Sequence, residues 1–496
     1  MKIKACLIGF FCCVPTFGIV GAGAAEPPEG NVKIGAGVRP HEWVGDPFVQ
    51  VPKNERRTTL PGRWERNGLT AVQVNVDSGG LNVVGDAANE PSITVDPTNP
   101  SRMAVGWRQF DTVTSNFRQA GVGYSTDGGL SWVFPGVLDP GVFRSDPVLE
   151  TDADGRFFYQ SLTVDDVYWC DVFQSGDQGA TWDGGTYAFG GDKAWMAIDR
   201  TGGEGHGHLY AGWDYAGCCG DNWFNRSTDG GTTYETPIPI PGMPYWGVTT
   251  VGPDGEVYVA GGDYMDGSGF VVVKSTTLEI AGMPMAFDIS VEVDLGGEQQ
   301  FYLLTGPNPE GLVGQVWIAV DRSSGPSHGH VYLLCSVDPP GTDPADVMFA
   351  RSTDGGLTWS TPIRVNDDPV DGNAWQWFGT MAVAPNGRID VVWNDTRSLG
   401  QENISEVFYA FSTDGGLSWS RNQPLTPSFD SHLGWPQQNK LGDYYDMVSD
   451  TGGASLAFAA TFNGEQDVYY LRFPAGGPLV FEDGFESGDT GAWAGF

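Results

Sequence analysis

Basic residues are scarce in this chain of 496: Lys and Arg total 26 against 62 Asp and Glu, and 26 − 62 leaves a formal charge of −36. A surface so anionic repels phosphate backbones and anionic lipid, which excludes nucleic acid and membrane surfaces as partners. Charge of either sign is sparse at 18%, while 40% of residues are hydrophobic and 12% aromatic. Chains that stay unfolded show the opposite balance. Past residue 25 no apolar run approaches the ~18 residues of a spanning helix, so no membrane span is expected. Cysteine is also rare there, limited to Cys170, Cys218, Cys219 and Cys335. An oxidising compartment would permit disulfides among them, with Cys218 and Cys219 closing a ring together or one of them bridging to Cys170.

The compartment is suggested by the N-terminus. MKIK leads into an apolar run from Ala5 to Val20 broken by Pro15, then into Ala22-Gly23-Ala24-Ala25. That pattern reads as a secretory signal over residues 1–25, cleaved near Ala25, and predicts a secreted or cell-surface protein, extracellular or periplasmic. Residues 26–68, with Pro27-Pro28 and Glu55-Arg56-Arg57, read as a leader or linker. Residues 475–496, ending FEDGFESGDTGAWAGF, read as a tail that serves as a sorting tag or a flexible end.

Glycine, by contrast, is abundant at 72 residues, and much of it falls in a repeat. STDGGLSW at 125–132 returns as SGDQGATW at 175–182, STDGGTTY at 227–234, STDGGLTW at 352–359 and STDGGLSW at 412–419. Ser and Asp side chains that bond backbone amides, Gly at positive φ and a covering aromatic make a β-hairpin turn. Each copy follows an alternating run such as 120–124 or 407–411, and two further short strands precede it, as at 148–151 and 157–162 around Asp154-Gly155. The unit is four antiparallel strands. The gap of 125 between Ser227 and Ser352 hides a decayed copy at Ser275-Thr276-Thr277. After the last copy three strands near 443–473 lack a fourth, which residues 70–76 supply by closing a ring. The expected fold is an all-β propeller of seven four-stranded blades over 69–474, with six blades as the next count.

The octapeptides in four-stranded blades resemble the Asp-box (BNR) repeats of the sialidase superfamily. The resemblance implies a propeller whose boxes are scaffold, so Asp127, Asp177, Asp229, Asp354 and Asp414 are assigned to turns. The active face lies opposite, where inner strands start and second strands end. It carries the inner-strand starts Arg144, Lys193, Trp195, Tyr245, Trp246, Trp375, Trp377, Tyr444 and Asp446. The second-strand ends add Trp107, Arg108, Asp111, Trp213, Asp214, Tyr215, Asp263, Tyr264, Asp338, Trp393, Asn394, Asp395 and Arg397. Indole faces stack on sugar rings while ionic groups bond their hydroxyls, so the expected partner is an extracellular glycan or glycoconjugate, bound by a monomer.

A sialidase-type site implies a substrate clamp from Arg108, Arg144 and Arg397, an acid/base at Asp111 or Asp395, and a nucleophile at Tyr264 or Tyr444. Trp195, Trp213, Trp246, Trp377 and Trp393 are the expected stacking residues. No F-R-I-P precedes the first box, and seven blades depart from the six of known sialidases. Three readings stay open: a glycoside hydrolase, a polysaccharide lyase, and a non-catalytic adhesion propeller. No cofactor is required, but Glu90, Asp146, Asp192 and Asp443 sit at equivalent blade positions, and oxygen ligands converging at the axis would suit Ca²⁺; the alternative is that each carboxylate caps its own turn or pairs with Arg144 or Lys193. His206-Gly207-His208 and His328-Gly329-His330 fall in box-face turns and read as turn variants rather than a Zn²⁺ site.

Overall fold

The computed structural model describes residues 45–52, 55–264, 269–303, 305–370 and 372–478. The expected signal segment and the tail past Pro478 lie outside them. Seven antiparallel sheets follow one another along the chain, and among the described residues there is no helix. Their first strands are Ala87–Val95, Ser145–Thr151, Trp195–Ile198, Thr249–Val251, Trp317–Val320, Gln376–Val383 and Asp446–Asp450. All seven line one cavity of about 420 Å³, which marks the propeller axis.

Each blade is a meander from axis to rim. Blade 2 runs Ser145–Thr151, Phe157–Val164, Tyr168–Ser175 and Thr186–Tyr187; in blades 1 and 3 the rim strand shrinks to isolated bridges such as Tyr124 with Val133 and Phe224 with Ile238. Blade 7 closes the ring: Leu69–Gln73 pairs with Asp467–Pro474, with Ala71 opposite Leu471 and Val72 opposite Tyr470. Part of the segment read as linker is structured. Arg63–Arg66 adds a fifth strand outside Leu69–Gln73, and Arg57–Thr59 pairs with Asn82–Val84.

Blades bury both sheet faces against their neighbours, so strands such as Met103–Phe110 and Gly453–Ala460 are buried along their whole length. This is why simple alternation fades there. The octapeptides lock the lower face. Ser125 Oγ donates to Asp127 Oδ1 at 2.8 Å and accepts from Gly129 N at 2.9 Å, while Asp127 takes the amide and hydroxyl of Ser131 at 3.0 and 2.6 Å. The Ser-to-Asp bond recurs at Asp177, Asp229, Asp354 and Asp414. In the decayed copy of blade 4, Asp288 supplies the missing carboxylate by accepting from Thr276 N and Oγ1 at 2.7 Å each. His206 and His328 bond the carbonyls of Thr201 and Ser323 inside their own turns.

Candidate functional site

The upper face, where inner strands begin, is built on a repeated backbone irregularity. Glu90, Asp146, Lys193, Trp246 and Phe378 occupy equivalent positions and all lie at positive φ, between 48° and 59°. In blades 1, 2 and 6 the register shifts there, between Asn89 and Ser92, Ser145 and Val148, Trp377 and Thr380. A left-handed residue other than glycine costs on the order of 1–2 kcal/mol, and such strain persists only where the surroundings hold it.

The four carboxylates proposed for Ca²⁺ do converge, but on a side chain. Lys193 Nζ lies 2.6 Å from Asp443, 3.6 Å from Asp146, 3.9 Å from Glu90 and 4.0 Å from Asp192. Lys440 Nζ adds contacts of 2.8 Å to Asp443 and 3.7 Å to Glu90, and Arg108 lies 3.2 Å from Glu90. The donor set therefore does not fit a metal, because an ammonium fills its centre. Among the described residues no group of three or more His, Cys, Asp or Glu is disposed to hold one. Every member of the cluster is buried. Burial pushes the Glu90 carboxyl up to about 8, against the pull of Arg108 and Lys193. Lys193 is held well above its ordinary value: burial opposes its charge, and the carboxylates, Asp146 and Asp443 foremost, outweigh that.

Beneath the cluster an aromatic floor seals the axis. Trp195 packs edge-on against Trp317 at 5.2 Å and Tyr444 at 5.4 Å. The Tyr444 hydroxyl donates to Pro147 O at 3.0 Å and is buried, so it is not presented to a substrate. Tyr264 packs at 5.5 Å from both Tyr215 and Trp223.

The arginines expected as a clamp are each engaged with different carboxylates. Arg108 bonds Asn89 and pairs with Glu90; Arg144 pairs with Asp139 and Asp171 at 2.8 Å; Arg397 pairs with Asp395 at 2.8 Å and Asp367 at 2.5 Å. Asp395, proposed as acid/base, also accepts from Trp393 Nε1 at 2.8 Å, and Asp111 pairs with Arg56 at 3.1 Å. The five tryptophans expected to stack on sugars are buried instead. Trp246 donates to Asp214, Trp377 to Ser405 and Trp393 to Asp395, Trp195 lies in the floor, and Trp213 packs in the core of blades 3 and 4. They failed as stacking faces because a propeller fills the wedge between blades with its largest side chains.

Exposed aromatics gather elsewhere, on the upper rim of blade 2. Tyr187 is 49% and Val167 48% exposed, with Trp169 and Phe189 half-buried between them. Tyr187 lies 6.5 Å from the Trp169 ring and 5.0 Å from Phe189. Phe189 sits at φ 56° before Gly190 at φ 113°, and Gly190 O accepts from Cys218 N at 3.1 Å. Cys218 and Cys219 are disulfide-bonded to each other, while Cys170 and Cys335 are free and buried. Asp171, directly opposite Tyr187 in the strand pair, carries the Arg144 ion pair to the edge of this row. Trp169, Tyr187 and Phe189 belong to the third strand and the rim of blade 2, outside the inner-strand starts and second-strand ends from which the sequence predicts a site.

The chain is a seven-bladed β-propeller, and its likeness among solved structures is to proteins that include sialidase propellers. No family model and no curated protein matches it. A Dyadobacter fermentans protein of unknown function is 14% identical over 81% of this chain and 97% of its own, with a TM-score of 0.44. The phage phi92 endosialidase is 10% identical over 84% and 70%, also at 0.44. The Trypanosoma rangeli sialidase is 10% identical at 0.39, and the match covers 84% of this chain and 59% of that one.

Proposed function

We propose that the protein is an extracellular glycan-binding propeller that holds its ligand on the upper rim of blade 2. The observation that carries this reading is the open row Trp169, Tyr187 and Phe189 beside the Arg144–Asp171 pair. Flat aromatic surface covers the C–H face of a sugar ring, and a carboxylate and guanidinium at its edge bond the hydroxyls. The N-terminal pattern of a secretory signal supports an extracellular setting, and the anionic surface favours neutral over sulfated or phosphorylated glycans.

A glycoside hydrolase is the second reading, favoured by the carboxyl groups Glu90, Asp146 and Asp443 gathered around Lys193 at the axis, since such an enzyme works with paired carboxyls. A glycan array read beside turnover of a fluorogenic sialoside and of acidic polysaccharides separates the two. Binding that falls about tenfold or more in Trp169→Ala and Tyr187→Ala, with no turnover, is the expected result. Turnover abolished by Glu90→Gln but untouched by Trp169→Ala would replace it with the hydrolase.

A further inference from the structure

The axial cavity is a second place where the chain meets solvent, on the side of the molecule away from the blade 2 row. Its upper end is shut by the floor of Trp195, Trp317 and Tyr444. Exposure rises along the inner strands toward the lower face, from Trp195 at 7% and Met381 at 2% to the exposed Arg322 and Pro385, so the cavity opens there. One turn of its wall is formed by equivalent residues of successive blades: Thr94, Glu150, Ala197, Thr250, Ala319 and Ala382. Three alanines where a blade would admit larger side chains leave a lumen of about 420 Å³, within the ~300–1,000 Å³ range of small-molecule sites.

Two guanidiniums stand at the lower mouth of this lumen. Arg200 and Arg322 reach in from the ends of the blade 3 and blade 5 inner strands, and Glu150 is the carboxylate that meets them. Arg200 pairs with Glu150 at 2.7 Å, the two side chains 31% and 21% exposed. Arg322 bonds the carbonyl of Val251, and among the described residues no carboxylate lies within ion-pair distance of it. The wall's other carboxylate, Asp446, is buried and accepts hydrogen bonds from Ser92, Ile93 and Met447, so Arg322 has no ion-pair partner in the lumen. The charge of Arg200 opposes that of Arg322, while Glu150, Asp199 and Glu256 favour it from beyond ion-pair distance. An anion between the two guanidiniums removes that repulsion and completes the hydrogen bonding of Arg322, while alanine and valine walls accept an apolar body.

We propose that the axial cavity is a binding site for a small monocarboxylate, its carboxyl held by Arg322 and Arg200 at the lower mouth and its apolar body in the lumen. Saturation-transfer NMR on the full chain tests this, with benzoate as the probe and methyl benzoate as its uncharged counterpart. Benzoate is expected to show transfer and the ester none. Arg322→Gln is expected to weaken benzoate by about tenfold, the loss of one charge-assisted contact. Glu150→Gln, which removes the competing carboxylate, is expected to tighten it, and keeps the test decisive should Arg322→Gln fail to fold. Absence of transfer from benzoate, equal transfer from both probes, or unchanged affinity in both variants would overturn the site. Trp169→Ala is expected to leave benzoate binding intact, which separates this site from the glycan row.

Discussion

At the residue scale the decisive group is Lys193. Its ammonium stands where a metal would otherwise reconcile four carboxylates, so replacing it with the near-isosteric methionine leaves buried anions without their central counter-charge. Breaking a buried ion cluster from one side costs about 3–5 kcal/mol, and Lys193→Met is expected to lower the midpoint of chemical denaturation accordingly, with Asp443→Asn, which removes the contact at 2.6 Å, costing less. For the same reason a chelator is expected to leave the thermal midpoint unchanged. A fall in midpoint with EDTA that Ca²⁺ restores would return the cluster to metal binding. The convergence of Glu90, Asp146, Asp192 and Asp443 was legible in the sequence because blade equivalence fixes which residues share a ring. Pairing with Lys193 was legible as the alternative to Ca²⁺, but that one ammonium meets all four carboxylates required side-chain reach that spacing does not carry. Likewise Trp107, Trp213 and Trp393 fell at legible positions, but position along a strand says nothing of depth between blades.

At the element scale the octapeptide joins blades as well as turning its own hairpin. A Cβ on Gly129 would lie 2.1 Å from the Tyr470 ring of blade 7, and one on Gly416 2.2 Å from the Phe349 ring of blade 5, whereas one on Gly128 meets nothing within 4 Å. All three glycines have positive φ, between 78° and 83°, so alanine costs each a similar conformational strain of about 1 kcal/mol. Gly129→Ala and Gly416→Ala must in addition displace a packed aromatic, an overpacking cost of roughly 1–3 kcal/mol more. Denaturant midpoints of the two against Gly128→Ala measure that difference; equal losses would mean the turn acts within its own blade alone. The repeat and its turn chemistry were legible because a turn is written in contiguous residues. Its second use, as a seat for the neighbouring blade's aromatic, depends on a contact between blades and was not. The disulfide of Cys218 and Cys219 is a further element with a function to test. It lies in the loop whose Cys218 amide is tied to Gly190, beside Phe189, so reduction is expected to weaken glycan binding without lowering the thermal midpoint, as a binding assay run with and without dithiothreitol would read.

At the scale of the whole molecule, the buried carboxyls set the pH at which the ring is most stable. Burial is the leading cause that raises Glu90 to about 8 from an ordinary 4.5, and Asp214, Asp446 and Asp467 to about 7 from 3.8. Each of these groups binds its proton more tightly folded than unfolded, so the stability it contributes is complete below its unfolded value and is lost as pH rises through the folded one. The octapeptide carboxylates work in the other direction: hydrogen bonds from Thr358 to Asp354 and from Ser418 to Asp414 lower both to about 2, so their contribution is lost only as pH falls below 4. Between those limits the thermal midpoint is expected to peak near pH 4 to 5 and to fall steadily toward pH 8.5. Net charge predicts the same sign, since a chain at −36 repels itself more as pH rises, and salt separates the two causes. Repulsion between surface charges is screened within a Debye length of about 3 Å at 1 M salt, whereas protonation of carboxyls buried in the ring is not. If the buried groups dominate, the slope of midpoint against pH survives in 1 M sodium chloride; a slope abolished by salt would assign it to the surface instead.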